Sequence, residues 1–92
     1  MTKRAENEIR KRIEAAGEPS MIEQLCLDSI EIKNFTPNIK KMLESCTNLE
    51  YLTLNDCAMK SLEHFPNLKS LIVLELSDNK YLSFHSDSLA KT

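Results

Sequence analysis

Five side chains in this sequence are of types that carry nucleophilic or metal chemistry: Cys26, Cys46, Cys57, His64 and His85. Thiol catalysis needs a cysteine beside an imidazole base, and a structural zinc needs Cys or His at short paired spacings such as C-x-x-C or H-x-x-x-H. Neither pattern occurs. Gly17 is the single glycine, so no loop can cradle phosphate. The sequence therefore predicts no enzyme, no cofactor and no metal site. The start has no apolar signal region, and no apolar run approaches the ~18 residues of a membrane span. The odd number of cysteines then reads as reduced, packed thiols, and the glycosylation motif Asn34-Phe35-Thr36 as accidental.

What remains is recognition chemistry, carried by polar and aromatic residues that alternate with leucines. Three segments share one apolar template: Ile22-x-x-Leu25-x-Leu27, Leu49-x-x-Leu52-x-Leu54 and Leu71-x-x-Leu74-x-Leu76. Their starts lie 27 and 22 residues apart, within the roughly 20–29 residues of a leucine-rich repeat. Three residues beyond the last leucine stand Ile30, Cys57 and Asn79, and two further on Ile32, Met59 and Tyr81. An Asn or Cys at the first of these positions turns inward to bond backbone groups freed at the strand exit. Ile30 departs from that rule.

The connectors follow the same scheme. Thr36-Pro37 is an N-cap and first-turn pair, and Ile39, Met42, Leu43 and Cys46 then share one helical face. Residues 60–69, with Leu62, Phe65 and Leu68 around Pro66, suit a tight turn better than a helix. Upstream, Glu6 to Ala16 reads as a helix with an Ile9, Ile13, Ala16 stripe and Gly17 as its stop, a cap for the open end of a stack. The other end offers Tyr81, Leu82, Phe84 and Leu89 but no fourth repeat. Strand Leu71-Ile72-Val73-Leu74 is thus expected to expose an apolar edge that recruits a continuation, the folded-back tail or a second copy.

These readings combine into one leucine-rich-repeat domain over residues 1–92, an α/β solenoid of about three parallel strands with helix and turn connectors on the convex side. Its parts are a cap helix (1–17) and repeats at 22–48, 49–70 and 71–92, the last incomplete or a rudimentary cap. The chain has 92 residues, 41% hydrophobic and 28% charged, with a formal charge of -2, as in a globular domain. Lys3, Arg4, Arg10, Lys11 and Arg12 crowd the start, leaving twelve acidic against seven basic residues after Ile13. The basic run could serve as a bipartite nuclear signal, but the interleaved Glu6 and Glu8 favour pairing along a solvated helix.

Leu49-Glu-Tyr-Leu-Thr-Leu-Asn-Asp-Cys57 and Leu74-Glu-Leu-Ser-Asp-Asn79 resemble the acidic leucine-rich nuclear phosphoprotein (LANP-like) family. So does Glu8-Ile-Arg-Lys-Arg-Ile13 leading to Ile22-Glu-Gln-Leu-Cys-Leu-Asp28, and the likeness runs over about residues 6 to 80. With neither secretory signal nor membrane span, a nuclear and cytoplasmic location is expected, and the resemblance implies the amino-terminal part of a curved solenoid whose roles are nuclear. Its members bind histones, restrain histone acetylation, inhibit a serine/threonine phosphatase and regulate chromatin. They also carry further repeats, a carboxyl-terminal cap and a long acidic tail. This sequence has none of these, so a tail-dependent chaperone activity is not implied.

Strand alternation predicts a concave, protein-binding face of Gln24, Cys26, Asp28, Tyr51, Thr53, Asn55, Val73, Glu75 and Ser77. It carries carboxylates and an aromatic but no Lys or Arg, which fits a basic or neutral peptide and predicts no direct nucleic-acid contact. Two other readings share the architecture: a structural module of a ribonucleoprotein, and a homodimer paired through its last strand.

Overall fold

The computed structural model describes residues 2–80 and 82. Helix α1 spans Thr2–Ala16, followed by a single 3-10 turn at Pro19–Met21, strand β1 (Gln24–Cys26), helix α2 (Pro37–Glu44), β2 (Tyr51–Thr53) and β3 (Val73–Glu75). The strands form an open parallel sheet in the order β1-β2-β3. Leu25, Leu52 and Leu74 are register partners, so the leucine template stacks on itself. The ladder runs past the strand ends: Leu27 N–H donates to Thr53 O at 2.9 Å, and Leu54 N–H to Glu75 O at 2.8 Å. At the exits, Ser29, Asp56 and Asp78 all take positive φ (67°, 58° and 61°) two residues after the last leucine. Short polar side chains tolerate that left-handed conformation, so the repeat is written into the turns as well.

Leucines and isoleucines of the template form one core with Phe35, Ile39, Leu43, Cys46, Cys57 and Met59. Thr36 caps α2 by accepting from Ile39 N–H at 3.2 Å, and Pro37 fills the first turn, as its sequence indicated. The segment between β2 and β3 contains no helix. There Phe65 meets Phe35 edge to face, with ring centroids 5.3 Å apart, joining the two connectors.

Three details of the cap differ from expectation. Helix α1 starts at Thr2 instead of Glu6, and its buried stripe is Ala5, Ile9, Ile13, with Ala16 exposed. The i, i+4 spacing simply extends one turn earlier, and Gly17, at φ 124°, stops the helix with its N–H on Ile13 O. Glu6 does not pair along the helix surface. It is buried, and accepts from Thr36 Oγ1 at 2.9 Å and Asn38 Nδ2 at 3.3 Å. Arg12 donates to Cys26 O at 2.9 Å, so α1 also supplies a partner at the end of β1. Tyr81, Phe84, His85, Leu89 and the expected tail cap lie outside the described residues.

Candidate functional site

The sheet face opposite the leucine core holds the side chains expected to meet a partner. Gln24, Cys26, Tyr51, Val73 and Ser77 are exposed, and Asp28, Asn55 and Glu75 half-buried. Thr53 lies within the patch but is only 9% exposed. Alternation along β2 places it between Tyr51 and Asn55, and register places it between Cys26 and Glu75, so its neighbours cover it. Period-two logic gives a residue's face, and flanking strands decide whether it reaches solvent.

A hydrogen-bond ladder crosses this face. Asn55 donates its N–H to Asp28 Oδ1 at 2.9 Å, and its Nδ2 lies 3.4 Å from Asp28 Oδ2 and 3.2 Å from Glu75 Oε1. Asn55 Oδ1 in turn accepts from Ser77 N–H at 2.7 Å, and Tyr51 donates its hydroxyl to Glu75. One amide therefore ties three successive turns together, a role that the sequence signalled only through the matching positions of Asp28, Asn55 and Ser77. Burial works to raise the Asp28 pKa, but the Asn55 N–H and the Thr53, Cys26 and Asn55 side chains outweigh it and hold the carboxyl below its ordinary value. Hydrogen bonds from Tyr51 and then Asn55 do the same for Glu75. Both carboxylates are thus ionised at neutral pH. The ion pairs among the described residues, Lys33–Glu31, Lys40–Glu44 and His64–Glu63, involve neither of them.

Beneath the turns, Cys57 and Asn79 occupy the inward positions expected of them. The Cys57 thiol donates to Leu27 O at 3.1 Å, and burial, opposed by hydrogen bonds from Ile30 and Ser29 N–H, pushes it up to about 11. His64 is exposed on the segment between β2 and β3, at φ 63°. Among the described residues no group of three or more His, Cys, Asp or Glu side chains is placed to hold a metal. No described helix is long and apolar enough to cross a membrane.

Comparison with known proteins adds a direction to this geometry. The chain is 36% identical over 58 residues to an acidic leucine-rich nuclear phosphoprotein 32-related protein of Plasmodium falciparum, a match covering 63% of this chain and 21% of that protein. It is 42% identical over 52 residues to a protein of Tetrahymena thermophila named as a histone, covering 56% of this chain and 13% of that protein. The chain is similar to part of each. No protein-family model matches it, and no solved structure does.

A second concavity was not foreseen from the sequence. A cleft of about 550 Å³ between α1 and residues 29–34 is lined by Arg4, Glu8, Arg12, Glu31 and Lys33 among others. Its charges are mixed, with Lys33 held by Glu31 at 3.4 Å. The sheet face is different, because its two carboxylates have no such counter-charge. Fixed negative groups beside an aromatic ring suit a cationic peptide.

Proposed function

We propose that the chain is a leucine-rich-repeat solenoid segment and a non-catalytic nuclear module, binding a basic protein partner on its open sheet face. Histones are the leading candidate, with a role in chromatin regulation. The observation that carries this reading is the Asp28–Asn55–Glu75 ladder, which holds two uncompensated carboxylates and Tyr51 in one preorganised surface. Similarity to proteins named as a histone and as a leucine-rich nuclear phosphoprotein supports it. Phosphatase inhibition follows from the family resemblance, and the face geometry favours histones over it, because histones bring the complementary charge. Rigid hydrogen-bonded side chains lose little entropy on binding, which favours affinity from a small area.

The test is capture of purified core histones by the chain at moderate salt, alongside an Asp28→Asn/Glu75→Gln double variant. Binding that drops in the double variant supports the reading. Absence of histone binding by the unaltered chain overturns it.

A second reading, self-association, rests on the sheet edge. Ile72 is 74% exposed, and no strand among the described residues pairs with the outer side of β3. An unpaired apolar edge is a template for another strand. Light scattering after size exclusion tests it, with a monomer at tens of micromolar counting against.

A further inference from the structure

The most unusual atom on the binding face is the Thr53 hydroxyl. Thr53 is only 9% exposed, and its Oγ1 is the buried side-chain polar atom with no hydrogen-bond partner among the described residues. An unbonded buried hydroxyl costs about 1–3 kcal/mol, so valine, of similar shape, would satisfy the fold better. Threonine at the centre of the sheet calls for another explanation.

Its surroundings supply one. The hydroxyl is close enough to the Asp28 carboxylate to help hold its pKa down, yet it makes no hydrogen bond of good geometry. Glu75 is its register partner on β3. Asp28 Oδ2 and Glu75 Oε1 converge on Asn55 Nδ2 at 3.4 and 3.2 Å, and the register sets Thr53 beside Glu75 on the same face of the sheet. No lysine or arginine belongs to this face, and a carboxylate can accept about four hydrogen bonds, more than Glu75 receives from Tyr51 and Asn55.

We propose that Asp28, Glu75 and Thr53 form a seat for a single primary ammonium, the side-chain tip of a lysine presented by the partner. An ammonium is a compact charge with three donors, one for each acceptor. A guanidinium is a broad planar fork that matches carboxylates two by two and cannot reach a lone hydroxyl recessed between them. The incoming ammonium takes the place of the Tyr51 hydroxyl and the Asn55 amide as donor to the carboxylates and leaves the Tyr51 ring against the lysine stem. This deepens the proposed function and rests on its reading of the sheet face as a site for basic proteins.

Fluorescence anisotropy tests the seat with a labelled twelve-residue peptide of alternating Gly and Lys and its copy with Arg for Lys. The Lys peptide binds the unaltered chain severalfold tighter than the Arg copy. Asp28→Asn and Glu75→Gln each weaken it about tenfold, as expected for loss of a charge-assisted hydrogen bond. Thr53→Val abolishes the Lys preference and leaves Arg binding unchanged, while Thr53→Ser retains it. Thermal melts establish that each variant folds. Equal binding of the two peptides by the unaltered chain, or an intact preference in Thr53→Val, overturns the seat. Core-histone capture is measured in parallel, so that histone binding without Lys preference removes the seat alone, and Lys preference without histone binding supports the seat and removes the histone reading.

Discussion

Asn79 holds the backbone of Cys57 one turn away in the stack. Its Oδ1 accepts the N–H of Cys57 at 2.9 Å and of Met59 at 3.0 Å, while Nδ2 donates to Leu54 O and Leu76 O at 2.9 Å each. All four backbone groups would otherwise be left without these partners in or near the core. Asn79→Ala is expected to cost about 2–4 kcal/mol, since each buried group left unsatisfied costs about 1–3 kcal/mol and solvent will reach some of them. Urea denaturation measures it, and a loss below about 1 kcal/mol would show that the turns stack without this amide.

This linkage was legible because Cys57 and Asn79 stand at the same offset from their leucines, and the strand register follows from the same template. Glu6 was not legible. On a basic helix a glutamate reads as a surface partner for nearby Arg or Lys, and only the packing of α1 over the start of α2 turns it toward Thr36. The burial of Thr53 escaped for a related reason, since it depends on neighbours from two other strands. Ala5 replaced Ala16 in the buried stripe because the helix begins a turn before Glu6, where the sequence pattern had placed its start.

Glu6 therefore has a structural role that substitution can expose. Thr36 Oγ1 donates to Glu6 Oε2 while accepting from Ile39 N–H, so one hydroxyl links the two helices. Glu6→Ala is expected to destabilise by about 1–3 kcal/mol through the unpaired hydroxyl and amide. Glu8→Ala, at a half-buried site on the same helix whose side chain makes no hydrogen bond among the described residues, should change stability by less than about 0.5 kcal/mol. Comparable losses in the two variants would refute the assigned difference.

The thiols separate by burial. Cys26 is exposed, whereas Cys46 and Cys57 are buried and burial raises both their pKa values. At pH 7.5 a chromogenic disulfide should titrate one thiol quickly and the others only after denaturation. Cys57 also predicts an alkaline weakness. Its folded pKa, about 11, lies above the ordinary 9.0, so the native state keeps a proton that the unfolded chain releases. Stability from this group is complete below pH 9 and falls as pH rises toward 11, by on the order of 2–3 kcal/mol. A Cys57→Ala variant should lose that slope, and parallel pH profiles for the two proteins would contradict the assignment.

Tyr51 tests the face without testing the fold. Its ring stands exposed and its hydroxyl reaches Glu75 across the sheet surface. Tyr51→Ala should leave the thermal midpoint within a few degrees, because little buried area is lost, yet weaken histone capture about tenfold or more, as for an aromatic anchor at an interface. Undiminished capture would move the binding surface elsewhere on the molecule.

Thr53→Val sets stability and binding in opposition. The substitution removes a buried hydroxyl that bonds nothing, so the variant should gain about 1 kcal/mol and melt several degrees higher. Asp28 loses a weak helper, but Asn55 still donates to it from backbone and side chain, which limits any offset. A residue kept only for packing would give no reason for threonine at this position. A polar group retained at a cost to the fold is what a site for a charged ligand requires. A melting point that falls on Thr53→Val would mean that the hydroxyl already has a partner in solution, and the proposed third acceptor would be lost with it.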